Sequence, residues 1–334
     1  MNDYVLPFDR CGAAPRSVIG GKSHSLGVMA GAGFPVPPGF AITTGAYRHF
    51  LQSTGLSSRL NECLALEEPS GAVRDLFCDG ARCAGIDEAI LDGYRSLGSG
   101  PVAVRSSAAD EDLADASFAG QQETFLWVQG EDQVLRKVRE CWASLFSAPA
   151  LAYRHRLGLD HGALAMGVTV QRMVLARCAG VAFTLNPING DRSKIVIEGS
   201  FGLGVAVVGG EVNPDRFLLD KVTLRLLERT INRKPIAYRP ELRDVPEDQQ
   251  LLPCLSDEEV IELAKVSKRI EAHYGAPQDI EWALDDAGAI FLLQARQETV
   301  WSRKPATPRT QVQDNPLGYV VSTMLTPQRL SDAG

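Results

Sequence analysis

The chain has 334 residues, of which 45% are hydrophobic and 22% charged, and it carries a formal net charge of −7. This is the balance of a soluble globular protein long enough for two or three lobes with cores of their own. With no lysine or arginine block, it excludes a nucleic-acid footprint. Met1 to Arg10 lack a charged region followed by an apolar stretch, and no apolar run approaches the ~20 residues that span a bilayer, so a membrane partner is excluded and a cytoplasmic location expected. The cysteines at 11, 63, 78, 83, 141, 178 and 254 are odd in number and form no Cys-x-x-Cys pair, which predicts buried small hydrophobes and neither disulfides nor zinc.

In chain order, Gly20-Gly21-Lys22-Ser23 opens a short helix ending near Gly33, and Pro35 to Pro38 break the chain before a strand at Phe40 to Thr43. Helices dominate to about Leu97. Glu131 to Phe146 places Val134, Leu135, Val138, Trp142 and Leu145 on one helical stripe, and Ser256 to Tyr274 does the same with Val260, Leu263, Ala264, Ser267 and Ile270. Strands are predicted at 101–105, 123–128, 164–174, 178–184, 193–198, 216–220 and 223–229. The alternation gives an α/β or α+β fold. Residues from Trp301 onward, rich in proline and apolar anchors but without periodicity, read as a docking tail.

Residues 279 to 296 predict a hairpin turning through Asp285-Asp286-Ala287-Gly288, with Leu284 opposite Ala289 and Asp279 opposite Gln294. One face then carries Ile280, Trp282, Leu284, Ala289, Phe291, Leu293 and Ala295. The other carries Asp279, Glu281, Gln294 and Arg296, with Ala283, Ile290 and Leu292 nearer the turn. Clustered oxygen ligands beside an arginine suit a hard divalent cation and the phosphates it accompanies; a hairpin with one solvated face would look the same.

Two further sites are polar. Gly21-Lys22-Ser23 ends like a Walker A loop, but Arg16 stands where the first glycine is needed, so that motif fails on spacing. A lysine behind two glycines at a helix start still suits phosphate oxygens, the alternative being a turn with a solvated lysine. Gly202-Leu203-Gly204 and Gly31-Ala32-Gly33 lack the third glycine of a dinucleotide fingerprint. The strand at 102–105 ends in Arg105-Ser106-Ser107 and leads through Asp110, Glu111, Asp112 and Asp115 to Ser117-Phe118-Ala119-Gly120-Gln121-Gln122-Glu123-Thr124, a set able to grip an anion or to close on itself through a salt bridge at Arg105.

Taken together, VAVRSSAADEDLADASFAGQQETFL at 102–126 closely resembles the signature of the ATP-binding domain of the phosphoenolpyruvate synthase and pyruvate phosphate dikinase family. The segments 20–47, VQRMV at 170–174, GVAFTLNP at 180–187, 197–221 and the hairpin 279–296 follow in family order. The resemblance implies an ATP-grasp fold with ATP held between two lobes, here expected at 1–190 and 191–300 with the tail at 301–334. It implies Lys22 and Arg105 as catalytic phosphate-binding cations and Glu281 and Gln294 as magnesium ligands, with Mn2+ able to substitute. Other ATP contacts implied are Gly120, Gln121 and Thr124 in the phosphate loop, Gln171, Met173 and Val174 along the adenine strand, Thr184, Asp279 and Arg296.

The family usually reads Gly-Leu-Gly-Glu where this chain has Val205, and Gln-x-Arg-Pro where it has Gln297. Family enzymes continue into a domain with a phosphorylated histidine and a barrel that binds the acceptor, yet none of His24, His49, His155, His161 and His273 lies in a Gly-Gly-x-Thr-Ser-His-like context. The expected function is therefore that of an ATP-binding subunit which phosphorylates a histidine on an acceptor-binding partner subunit, releasing AMP and phosphate. In extent the chain is similar to the small subunit of the split member phenylphosphate synthase, where the acceptor is phenol. The alternatives are a stand-alone small-molecule kinase and a non-catalytic nucleotide-sensing subunit.

Overall fold

A computed structural model of the chain describes residues 4–79, 82–108, 123–157 and 165–301. Gly120, Gln121, His161 and the expected docking tail beyond Trp301 lie outside the described residues.

The described residues build two antiparallel sheets and a small ribbon. The first sheet contains β1 (Val5–Pro7), β2 (Gly39–Ile42), β3 (Val102–Ser107), β4 (Thr124–Val128) and β5 (Gly167–Arg172), in the order β1-β2-β5-β3-β4. The second receives β6 (Ala176–Phe183), β7 (Lys194–Phe201), β8 (Asp215–Asp220) and β9 (Leu226–Thr230). After the ribbon β10 (Ile236–Tyr238) and β11 (Leu242–Asp244), the hairpin β12 (Gln278–Asp285) and β13 (Ile290–Gln297) completes it as β13-β12-β6-β7-β8-β9. Every sheet pairing is antiparallel, which places the fold in the α+β class.

The chain changes sheets at 173–175. β6, which a division at residue 190 assigns to the first lobe, is thus a central strand of the second sheet. The run from Val168 to Phe183 has Thr169, Gln171, Arg172 and Arg177 as its polar residues, and the crossing falls just after the pair Gln171-Arg172.

Two main cores hold the sheets, the second drawing in Leu6 and Ala41 from the first sheet. Helices Thr44–Ser53, Leu56–Leu64, Pro69–Asp79, Ala84–Ser96 and Glu131–Ala143 cover the first, packing Tyr47, Phe50, Phe77 and Trp142 against Ile42, Val104 and Val170. The second is covered by the helix Asp257–Tyr274, whose buried stripe Val260, Leu263, Ala264, Ser267 and Ile270 is the predicted one. That helix starts at a capping box, Ser256 accepting from Glu259 N–H and Glu259 returning to Ser256 N–H, and stops where Gly275 turns left-handed at φ 69°. The helix after Glu131 ends at Ala143 and tightens into a 3-10 turn over Ser144–Phe146. All seven cysteines are free thiols, five of them buried, and burial pushes those of Cys11 and Cys178 up to about 12. Among the described residues, no helix is long and apolar enough to cross a membrane.

Candidate nucleotide site

The hairpin forms with a different register from the one expected. Leu284 pairs with Ile290, Ala283 with Phe291 and Trp282 with Leu292, leaving Asp285 to Ala289 in the turn. Asp285 organises that turn by accepting from the N–H groups of Ala287 and Ala289. Then the register shifts: Glu281 pairs with Gln294 and Asp279 with Arg296, so Leu293 is an extra residue in β13. The consequence is a correction to the faces. Leu292 and Ile290, not Phe291 and Leu293, join Ile280, Trp282 and Leu284 on the core side. Because the bulge restores the phase, Asp279, Glu281, Gln294 and Arg296 still share the opposite face.

Arg105 meets this face from the other sheet. Its Nη2 donates to Glu281 Oε2 at 3.1 Å and to Gln294 Oε1 at 2.8 Å, while Nη1 donates to the Leu293 carbonyl at 3.1 Å. The side chain of Arg105 is only 11% exposed, which makes the contact with Glu281 a sheltered ion pair. One residue along β3, the Ser106 carbonyl accepts from Lys22 Nζ at 2.9 Å. The local sequence explains the approach. Gly20 adopts φ 79°, and a Cβ there would run into Ser107, so only glycine lets the helix Gly21–Gly31 start against the end of β3. Gly21 N–H donates to the Ala108 carbonyl, and Ser23 Oγ lies 2.6 Å from Thr169 Oγ1. Lys22, Arg105, Glu281 and Gln294 are thus brought together. Thr124 stands beside Arg105 in the β3–β4 register and is exposed.

Two residues further along the hairpin, Arg296 Nε donates to Asp279 Oδ2 at 3.3 Å. Asp279 Oδ1 is buried without a hydrogen-bond partner among the described residues. Burial, reinforced by Glu298 and opposed by Arg296, raises the Asp279 carboxyl above its ordinary value. The folded chain therefore holds this proton more readily than the unfolded one, and the stability so gained is lost as pH rises from the ordinary carboxylate range through the raised value. Asp279→Asn, which needs no proton, is expected to raise the melting temperature at pH 7 and to bring little change at pH 4. Melting curves at the two pH values check this, and an equal effect at both would contradict it.

Two of the expected ATP contacts have their side chains turned inward. Thr184 is fully buried; its Oγ1 accepts from Gln278 N–H at 2.8 Å, bracing β6 to the hairpin. Gln171 lies in the middle of the first sheet between Gly39 and Ala103, and its buried amide donates to the Pro37 carbonyl. The crossing itself differs in kind. Met173 N–H donates to Pro101 O and Val174 O accepts from Ala176 N–H, but among the described residues no hydrogen bond reaches the Met173 carbonyl or leaves the Val174 amide.

An apolar wall adjoins the charged cluster, and sequence reasoning missed it. Ala176, Ala179, Leu203 and Ala283 are buried together, with Trp127, Met173, Val174, Tyr238 and Leu293 packed against them. Its signal was small residues facing one another across strands, as Ala179 faces Ala283, which is indistinguishable in sequence from ordinary sheet core. Val205 begins a short helix, Val205–Val208, directly after the Gly202–Gly204 loop that contributes Leu203 to this wall.

Two oxygens converging on one cationic nitrogen are a donor set that fits a hard divalent cation such as Mg2+ or Mn2+. No group of three or more His, Cys, Asp or Glu side chains placed to hold a metal ion is found among the described residues, so phosphate oxygens and water would have to complete such a shell.

Residues 16–315 match the family described as pyruvate phosphate dikinase, AMP/ATP-binding domain. Phosphoenolpyruvate synthase of Aeropyrum pernix is 43% identical over 90% of this chain and 43% of its own length. That of Pseudomonas aeruginosa is 43% identical over 92% of this chain and 43% of its own. The chain thus spans less than half the length of these relatives. Among solved structures, an acetyl-coenzyme A synthetase of Ca. Korarchaeum cryptofilum aligns over 64% of this chain and 82% of that one, at 14% identity and a TM-score of 0.35. On the match covering most of its length, the chain belongs to the pyruvate phosphate dikinase AMP/ATP-binding domain family.

Proposed function

We propose that this chain holds ATP with a divalent cation between its two sheets, in the manner of an ATP-grasp domain, and serves a dikinase-type phosphotransferase. The meeting of Arg105 from one sheet with Glu281 and Gln294 from the other, next to Lys22, carries this reading. The apolar wall beside the cluster suits a purine, and the open Met173 carbonyl and Val174 amide suit the hydrogen-bonding edge of adenine.

In the reaction, a histidine nitrogen on a partner subunit attacks the β phosphorus. An N–P bond forms, the bond from the β phosphorus to the α,β-bridging oxygen breaks, and AMP leaves carrying that oxygen; hydrolysis of the terminal phosphoryl then releases phosphate. Lys22 and Arg105 neutralise charge on the phosphates and hold them in line, and the wall excludes water from the base. A cation bound at Glu281 and Gln294 supplies further neutralisation of β- and γ-phosphate charge. The final acceptor, phenol being one candidate, binds elsewhere than on this chain.

Calorimetry of Mg-ATP binding tests the site, with Glu281→Ala expected to weaken binding at least tenfold; unchanged affinity would remove the hairpin from it. The nucleotide product, measured with a histidine-bearing partner, tests the reaction. AMP is expected. ADP alone favours a direct kinase, and tight binding without turnover favours a nucleotide sensor, the reading motivated by Val205.

A further inference from the structure

The oxygens that suit a metal are already held by a cation belonging to the chain itself. Arg105 Nη2 contacts both Glu281 Oε2 and Gln294 Oε1, at 3.1 and 2.8 Å. The guanidinium is fixed there by the bulge, because Leu293 is the residue of β13 left over in the pairing with β12 and its carbonyl accepts from Nη1. Lys22, by contrast, is drawn to the Ser106 carbonyl on β3. Magnesium binds oxygen at about 2.0–2.1 Å. An ion at that distance from both oxygens would stand almost in contact with the Arg105 nitrogen, in a site sheltered from solvent on the arginine side. Like charges so placed repel strongly, and the repulsion is poorly screened.

We propose that Arg105 is a built-in counter-cation that keeps bare divalent metal off Glu281 and Gln294, so that the metal enters only together with a triphosphate. The inference rests on the reading of Glu281 and Gln294 as metal ligands given above. The triphosphate resolves the conflict because its oxygens offer the guanidinium a new anionic partner and supply the missing ligands of the metal. Arg105 is also incompletely satisfied where it stands, since its Nε is buried without a hydrogen-bond partner among the described residues. It has donor capacity to gain by moving to a phosphate. The same side chain thus makes metal and nucleotide binding mutually dependent: each is weak alone, and each strengthens the other by the same factor.

The test uses Mn2+ alone as probe, with free ion counted by electron paramagnetic resonance on the full chain, and Mn-ATP as the comparison. Arg105→Gln and Arg105→Met are expected to bind Mn2+ alone at least ~tenfold more tightly than the unaltered chain while binding Mn-ATP more weakly. Arg105→Lys, which keeps the charge, is expected to stay weak toward Mn2+ alone. A phosphate ligand with no blocking role would lower Mn-ATP affinity and leave Mn2+ alone unchanged, and an arginine needed only for packing would lower both; either outcome overturns the proposal. So does an unaltered chain that binds Mn2+ through Glu281 as tightly without ATP as with it, a result needing no variant at Arg105. Adding Glu281→Ala to Arg105→Gln separates the two levels. If the gained Mn2+ affinity disappears, the ion was at the hairpin. If Mn2+ binding ignores Glu281 altogether, the metal-ligand reading fails and takes the gate with it, whereas Glu281-dependent binding that ignores Arg105 sinks the gate alone.

Discussion

Replacing Lys22 by methionine is expected to slow AMP formation by roughly 10²–10³-fold while leaving the melting temperature nearly unchanged. The magnitude is that of losing one preorganised charge-stabilising donor in a sheltered site. The separation of the two effects follows from where the lysine sits. Lys22 is 5% exposed, and its ammonium donates to a backbone carbonyl of β3. A buried ammonium costs desolvation, so an apolar side chain of similar length trades hydrogen bonding worth about 1 kcal/mol per bond for relief of that cost. Rates measured with a histidine-bearing partner of the kind proposed above, beside thermal melts of the same preparations, check both halves. A variant that melts far earlier and keeps its rate per folded molecule would make Lys22 a structural residue.

The largest loss of stability is expected far from the nucleotide. Asp215 and Lys234 form an ion pair with both side chains fully buried, 2.6 Å apart. Asp215 also accepts from the Asn232 and Cys254 amides, and Lys234 donates to the Asn232 carbonyl and stands 5.2 Å from the Phe201 ring centre. Removing one partner of such a pair strands a buried charge at about 3–5 kcal/mol. At roughly 2–4 °C per kcal/mol, the melting temperature falls by about 6–20 °C. Asp215→Leu is expected to be worse than Lys234→Met, because it orphans two amides as well as the ammonium. For the same reason the double variant Asp215→Leu, Lys234→Met recovers only part of the loss. Equal damage from both single variants, or full recovery in the double, would show that the backbone amides of Asn232 and Cys254 contribute nothing. The pair ties the segment 231–254 to β8, and that segment carries Tyr238 to the apolar wall.

What could be read in the sequence depended on the range of the interactions that decide each feature. The helix Asp257–Tyr274 was fully legible, since its stripe, its capping box and Gly275 are all local. The polar face of the hairpin was legible because alternation is local too, but its register was not. One extra residue at Leu293 is fixed by pairing across strands, and an apolar run such as Phe291-Leu292-Leu293 gives no hint which of the three is surplus. β1, β10 and β11 were missed because three residues carry no periodicity. Thr184 and Gln171 sit in family-like segments, yet hydrogen bonds to Gln278 and Pro37, residues distant in sequence, turn them inward. Grouping Lys22, Arg105, Glu281 and Gln294 needed the family resemblance, because no spacing rule joins positions so far apart in the chain.

The bulge divides the hairpin into a part where length is negotiable and a part where it is not. Residues added or lost between Asp285 and Ile290 change only a solvent-facing turn, and inherited insertions there leave every pair from Leu284 inward in place. Loss of Leu293 itself would close the bulge, since Leu292 would run straight into Gln294 with Glu281 still opposite it. Gln294 and Arg296 would keep their face and Ala295 its place in the core, and what would vanish is the surplus carbonyl that anchors Arg105. Beyond the bulge no residue is surplus, so loss of one paired residue such as Ala295 would turn every residue after it to the other face.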